Sequence, residues 1–314
     1  MRSATWSFNG PKVHFFPDAS AQSVDHTNIY SFDVFAADPN ILYAGGESGG
    51  VWKTSDKGLN WTLLTADVLH GAFGAVKISP QNPDVVFACT SGKIIKTTDG
   101  GSTWATVYSE NNLWVNELWL HEGNPDLVLA ASDKGLLRST DGGANWSKVF
   151  PQNTWTVKNK PGDPNTVWVI RQFGAASDFM VSTDAGSSFF PSNNGWWQPT
   201  GTRQVTGAII APCPSKPEKI YAYLSGEGTG LGGYIGVFVS EDGGTNWANT
   251  HPANTIGQPY LIPSHTNIMD ADGVDWFWQG FYDQAIVVNP LNDNELIAGG
   301  CSWFRSNDGG KTWF

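Results

Sequence analysis

Tryptophans and carboxylates crowd a few irregular stretches of this chain. Trp196 and Trp197 are adjacent, Trp276 and Trp278 flank a phenylalanine, and Glu227 and Asp275 lie in glycine- or aspartate-rich runs. Trp114, Asp178, Asp270, Asp272 and Asp283 belong to the same kind of stretch. An indole stacks on the apolar C–H face of a sugar, and a carboxylate accepts hydroxyl hydrogen bonds, so the combination suits a carbohydrate ligand. The competing reading is that the rings hold long loops down, since large aromatics are mostly buried. Cleaving a glycosidic bond would need two carboxylates, about 5–5.5 Å apart for retention or about 6.5–9.5 Å for inversion. Glu47, in Tyr43-Ala-Gly-Gly-Glu-Ser-Gly-Gly-Val-Trp-Lys53, is the catalytic candidate; its plainer reading is a polar hairpin residue.

Other motif matches carry less. Gly228-Thr-Gly-Leu-Gly-Gly233 fits a dinucleotide fingerprint in letters only, because it opens no helix. Asp270-Ala-Asp-Gly-Val-Asp275 has calcium-loop residues but lacks the glycine position and terminal glutamate of an EF-hand. The histidines form no metal-binding spacing, so neither a metal nor a cofactor is expected. Cys89, Cys213 and Cys301 are odd in number and show no paired spacing, which reads as small buried hydrophobes.

The elements that must carry these residues announce themselves by repetition. Six octapeptides follow the template [Ser/Thr]-x-Asp-x-Gly-x-x-[Trp/Phe], beginning at Thr54, Thr97, Ser139, Ser182, Ser240 and Ser306. Their starts are spaced 43, 42, 43, 58 and 66 residues apart. A period near 42 suits one four-stranded blade of a β-propeller. Within each box the aspartates Asp56, Asp99, Asp141, Asp184, Asp242 and Asp308 are expected to be structural, accepting backbone N–H bonds in a tight turn. The glycine supplies φ > 0 and the closing aromatic buries a large ring.

A second repeat precedes each box by about fifteen residues. Asp38-Pro-Asn, Asn82-Pro-Asp, Asn124-Pro-Asp and Asp163-Pro-Asn are each followed by an apolar strand, with looser copies at Lys216-Pro-Glu and Asn292-Asp-Asn. Each repeat then parses as strand A, the Pro turn, strand B, a loop, strand C, the box and strand D. In the first repeat these strands fall near 32–37, 41–44, 51–54 and 61–64. Turns A–B and C–D share one end of a blade, so that end reads as structural. Irregular connections, at 65–74, 108–113, 171–178, 190–205, 225–236 and 248–283, collect at the other end. Long loops on a regular scaffold are where function concentrates.

The boxes resemble those of the Asp-box (BNR-repeat) propellers, which include sialidases, glycoside hydrolase family 74, sortilin and a photosystem II assembly factor. The run around Glu47 is similar to the family 74 segment Arg-Thr-Asp-x-Gly-Gly, whose Asp is catalytic, although here Glu replaces Asp and Gly-Gly precedes it. Sialidase activity is disfavoured. The chain has five arginines, only Arg171 and Arg203 of them on the variable face, and lacks the Phe/Tyr-Arg-Ile-Pro motif. Closest in wording are secreted Asp-box proteins of Bacteroidetes-type bacteria, matched by Gly45-Gly-Glu-Ser-Gly-Gly-Val-Trp-Lys53 and Gln279-Gly-Phe-Tyr-Asp-Gln-Ala-Ile-Val-Val-Asn-Pro290. That resemblance implies a secreted or cell-surface bacterial location.

The expectation is therefore an all-β chain, one propeller domain over residues 1–314 and a piece of a larger secreted protein. Its last blade is either truncated or closed by Thr5-Trp-Ser-Phe8. The N-terminus has no apolar signal-peptide core, and no apolar run reaches a membrane span. A net charge of −11 argues against nucleic acid as a partner. A monomer that binds glycan or extracellular protein is the leading expectation, with a xyloglucanase-type hydrolase as the alternative, so whether it is an enzyme stays open.

Overall fold

The computed structural model describes residues 14–15, 22–23, 28–47, 49–65, 72–199, 204–227, 234–250, 284–299 and 303–314. These residues form an all-β propeller of six blades, built from antiparallel strands without a helix. Blade 1 comprises Ile29–Val34, Leu42–Gly46, Val51–Thr54 and Thr62–Leu63. Blade 2 comprises Phe73–Ser79, Asn82–Thr90, Lys93–Thr97 and Ala105–Ser109. Blade 3 comprises Val115–Leu120, Val128–Ser132, Gly135–Ser139 and Ser147–Phe150. Blade 4 comprises Thr154–Lys160, Asp163–Phe173, Ala176–Ser182 and Phe190–Pro191. Blade 5 comprises Gln204–Pro212, Ile220–Glu227, Tyr234–Ser240 and Ala248–Asn249. Blade 6 has three strands, Ala285–Asn289, Asn292–Gly299 and Trp303–Ser306. Beyond its box, Phe314 exchanges both backbone hydrogen bonds with Arg305, each 3.0 Å, as a fourth strand would. The expected closing segment Thr5–Phe8 lies outside the described residues. Among the described residues no helix is long and apolar enough to cross a membrane.

The chain divides into two compact units, Met1–Ala130 with Arg138–Ser147, and Ala131–Leu137 with Lys148–Phe314. The division falls inside blade 3. Within each unit the core lies between successive sheets, because strand alternation gives every central strand two faces to bury. In the first unit Tyr43 and Val51 of blade 1 pack on Val76, Ile78, Val86 and Ala88 of blade 2. In the second, Trp168, Ile170 and Phe179 of blade 4 meet Ile210, Ile220, Ala222 and Leu224 of blade 5. Tyr221, Tyr223 and Val237 of blade 5 meet Ile286, Val288, Leu296 and Ala298 of blade 6.

Polar contacts at the turn end tie blades together. The Tyr43 hydroxyl donates to the carbonyls of Pro83 (3.1 Å) and Gly100 (3.3 Å) in the next blade. Lys219 is almost fully buried, with its ammonium 2.8 Å from Asp293 and 3.2 Å from Glu241, over the ring of Tyr221. Burial alone would lower its pKa; the hydrogen bond it donates to Asp293 and the neighbouring groups raise it instead. Cys89 and Cys213 are free and buried, and burial pushes their thiols up, that of Cys213 to about 12. They serve as small apolar side chains, as their sequence context suggested. Cys301 lies outside the described residues.

Candidate functional site

The six boxes are one hydrogen-bonded device repeated. In the third, the Ser139 hydroxyl donates to Asp141 Oδ1 (2.9 Å) and accepts the N–H of Gly143 (2.8 Å). Asp141 Oδ1 accepts the Asn145 N–H at 2.8 Å, and Oδ2 accepts the Asn145 side-chain amide at 2.7 Å. Trp146 closes the turn by donating its indole N–H to the Gly143 carbonyl at 2.9 Å. The opening hydroxyl and the seventh residue recur throughout. Asn60, Thr103, Ser188, Asn246 and Thr312 each donate both backbone and side chain to their box aspartate. The sequence template wrote that seventh position as arbitrary. Its restriction to Asn, Ser and Thr was visible and is what a carboxylate with two free lone-pair directions requires.

These donors act on the carboxylates. At Asp56 the largest cause is the backbone N–H of Asn60, followed by the Thr54 hydroxyl, and the group is held at about 2. At Asp99 and Asp141 the side chains of Thr103 and Asn145 lead, again to about 2. Partial burial would raise Asp184 and Asp308, yet their hydrogen bonds outweigh it and both lie at about 2. Asp242 is lowered chiefly by the Asn246 amide. A carboxylate so well supplied with donors is a poor proton carrier near neutrality.

The two repeating turns also bond to each other. The N–H of the fourth box residue donates to the third residue of the Pro-type turn in every blade. These bonds are Lys57 to Asn40, Gly100 to Asp84, Gly142 to Asp126, Ala185 to Asn165, Gly243 to Glu218 and Gly309 to Asn294, between 2.8 and 3.1 Å. Both turns therefore sit at the same end of each blade. The antiparallel strands send the B–C and D–A connections to the opposite end. There, Glu110 donates to the Gly92 carbonyl, and Gly92 donates to Leu113.

The proposed site residues fare differently at that second end. Glu47 follows strand B of blade 1, half-buried; its N–H donates to the Asn28 carbonyl (2.8 Å) and its carboxylate accepts the Asn28 amide (2.7 Å). Trp196 is corrected from ligand platform to core. It is 4% exposed, donates its indole N–H to Ser177 Oγ at 3.1 Å, and lies with ring centroids 4.7 Å from Trp247 and 5.7 Å from Phe179. Trp197 is partly buried against the same cluster. Only the backbone of Glu227 is described, at the end of strand B in blade 5. Asp275, Trp276 and Trp278 lie outside the described residues, as do Asp270, Asp272 and Asp283.

The connection expected at 171–178 is not a long loop. Strands B and C of blade 4 pair as far as Phe173 and Ala176, leaving a two-residue turn in which Gly174 takes φ 60°. Asp178 thereby becomes a strand residue. It pairs with Arg171 at 3.0 Å and accepts the Asn193 amide at 2.8 Å, so it is engaged in holding the loop before blade 5. Phe173, at the tip, is 60% exposed, an aromatic at the variable end that the sequence reading passed over. No group of three or more metal-ligating side chains occurs among the described residues.

A repeating, hydrogen-bonded turn end opposite an irregular one marks each blade, and the irregular ends are the candidate site. Comparison with solved structures agrees on the fold. The GH74 xyloglucanase of Xanthomonas campestris matches at a TM-score of 0.67 and 15% identity, over 90% of this chain and 45% of that one. A GH74 enzyme of Niastella koreensis matches at 0.62 and 18% identity, over 92% and 45%. YCF48 from Cyanidioschyzon merolae matches at 0.53 and 17% identity, over 91% and 84%. A probable oligoxyloglucan-reducing end-specific xyloglucanase of Neosartorya fischeri is 32% identical over 82 residues, 24% of this chain. This chain spans about half the length of the GH74 structures and 10% of that curated relative. No protein-family model matches it.

Proposed function

We propose that this chain is an extracellular recognition propeller that binds a glycan or protein through the face formed by its B–C and D–A connections. The observation that carries the reading is the asymmetry of the two blade ends. Six turn–turn bonds and six hydrogen-bonded boxes occupy one end, whereas strand D of blade 5 and strand A of blade 6 are joined by residues 250–284. A connection of that length is far beyond the usual few residues and fits a binding role. The resemblance of the fold to xyloglucanase propellers favours polysaccharide, and Trp197, Trp276, Trp278, Glu227 and Asp275 are the residues offered for it. A secreted or cell-surface location belongs to the same proposal. Titration with xyloglucan oligosaccharides, followed by calorimetry and tryptophan fluorescence, tests it. Saturable binding that Trp276→Ala weakens supports the reading; no heat and no fluorescence change at millimolar sugar ends it.

A second reading, hydrolysis, has one observation of its own: Glu47 stands at the variable end, half-open, in a run resembling the family 74 catalytic segment. Glu47→Gln keeps the shape and removes the proton chemistry. If the chain hydrolyses xyloglucan, this variant loses turnover and retains binding. Equal turnover by wild type and variant removes Glu47 from the catalytic role.

A further inference from the structure

Glu47 is set up for a partner that the described residues do not supply. Strand B of blade 1 ends at Gly46, and Glu47 is fastened at two points to the residue before strand A. Its N–H donates to the Asn28 carbonyl (2.8 Å), and its Oε2 accepts the Asn28 amide (2.7 Å). The carboxylate is thereby fixed before any ligand arrives. Its Oε1 accepts nothing from a described residue, and no lysine or arginine among them pairs with either oxygen. Three other strand carboxylates do hold a cation: Asp33 holds Lys77 at 2.9 Å, Asp178 holds Arg171 at 3.0 Å and Asp293 holds Lys219 at 2.8 Å.

Two aromatic rings stand beside it, placed by irregularities of the strands. A β-bulge falls between Ile29 and Ser31 in strand A of blade 1, and another between Phe73 and Ala75 in strand A of blade 2, so Tyr30 and Gly74 are the extra residues. A bulge re-aims the side chain it carries. Gly74 carries none, and the indole of Trp114, the residue before strand A of blade 3, takes the space. A Cβ on Gly74 would lie 2.9 Å from Trp114 Cζ2 and 3.1 Å from Cε2. Tyr30 meets that indole edge-on, with centroids 6.2 Å apart and planes at 75°. Both rings are half-buried. The backbone ties Glu47 to them. Gly45, two residues before Glu47, packs so closely on blade 2 that a Cβ there would lie 2.8 Å from the carbonyl oxygen of Phe73, the neighbour of Gly74. Tyr30 follows Asn28 by two residues, about 7 Å along a strand. All of these residues belong to the first compact unit.

We propose that Glu47, Tyr30 and Trp114 bind a cationic side chain, lysine or arginine, of a partner protein. An ammonium or guanidinium group is attracted to the face of an indole or phenol ring and donates charge-assisted hydrogen bonds to a carboxylate. A neutral sugar would leave the charge of Glu47 uncompensated. The net charge of −11 draws a cationic partner in from a distance. The proposal rests on the reading of the irregular blade ends as the recognition face, and it gives the part of that face on blades 1 to 3 a protein ligand.

The 314-residue chain is titrated with short capped glycine peptides that carry one central lysine, arginine or norleucine, and binding is read by calorimetry and tryptophan fluorescence. The expected result is saturable binding of the two cationic peptides at millimolar concentration and none of the norleucine peptide. Salt at about 0.5 M weakens that binding severalfold. Glu47→Gln, which keeps the shape and removes the charge, weakens it about tenfold. Trp114→Ala weakens it about fivefold. Gly74→Ala, which displaces the indole, serves in place of Trp114→Ala if that variant fails to fold, as read by circular dichroism. Cationic peptides that do not bind overturn the proposal. So does binding that Glu47→Gln leaves unchanged, or that the norleucine peptide equals. Xyloglucan oligosaccharides titrated in parallel separate the two possible failures. A chain that binds the sugar but not the cationic peptides keeps its recognition face and loses this ligand, whereas a chain that binds neither loses both.

Discussion

The hydroxyl that opens each box is buried, whereas the carboxylate two residues on is exposed in four boxes and half-buried at Asp56 and Asp308. Ser139 is 1% exposed and holds two backbone N–H groups, while Asp141 stands in solvent and holds Asn145. Leaving a buried donor unsatisfied costs about 1–3 kcal/mol. Ser139→Ala is therefore expected to lower unfolding free energy by about that amount, measured by urea titration, and by more than Asp141→Asn does. The carboxylates predict an acid profile as well. Five box aspartates are held at about 2 in the fold, below their unfolded range. A depressed pKa contributes stability that is full above the unfolded value of about 3.9. That stability disappears as pH falls through the folded value. Thermal unfolding scans should thus be flat above about pH 5 and drop steeply between about pH 4 and 2. A Tm that falls already between neutrality and pH 5 would contradict this. At this scale the sequence located the box hydroxyls and carboxylates but not which of them were buried. Trp196 illustrates the limit: an indole beside Trp197 looks the same in letters whether it faces a sugar or Phe179, and only the packing distinguishes them.

Blade elements were legible because each rests on local chemistry that letters carry. The fourth and fifth box residues both take left-handed φ, from Gly100 and Gly101 at 71° and 97° to Gly309 and Gly310 at 76° and 86°. Two boxes put a side chain at the fourth position, Lys57 at φ 62° and Ala185 at φ 54°. An L-residue there carries a penalty of about 1–2 kcal/mol that glycine avoids. Ala185→Gly should therefore stabilise the chain by roughly 1 kcal/mol, the reverse of the usual effect of adding glycine. A lower unfolding midpoint for this variant would refute the assignment of strain. Connections were less legible than turns. The 171–178 stretch was expected to be an irregular connection between strands B and C. In the fold, Arg171 pairs with Asp178 across the strands and Gly174 makes the turn. An ion pair formed across a hairpin satisfies polar side chains that would otherwise argue against a strand, and no single-strand pattern records it.

On the scale of the whole molecule, repetition sets the scaffold and irregularity marks the face offered for recognition, so the two should be separable by experiment. Residues 251–283 join two sheets whose ends are fixed independently. Thr250 donates its N–H and hydroxyl to the Val237 carbonyl, both at 3.0 Å, and the Gln284 amide donates to the Tyr223 carbonyl at 2.7 Å. Replacing residues 251–283 by a Gly/Ser linker of about a dozen residues preserves both anchors. Loop closure changes slowly with length, about 0.6 kcal/mol per doubling, so the shorter connection shifts stability by only about 1 kcal/mol, and in the favourable direction. The expected outcome is an unfolding midpoint equal to or slightly above that of the parent, with saturable glycan binding lost. A substitution at the turn end such as Ser139→Ala should show the opposite pair of results, reduced stability and unchanged affinity. If the linker variant binds xyloglucan oligosaccharides as the parent does, the recognition face lies elsewhere on the propeller. If it fails to fold, the long connection is part of the scaffold, and the division between a structural end and a recognition end does not hold.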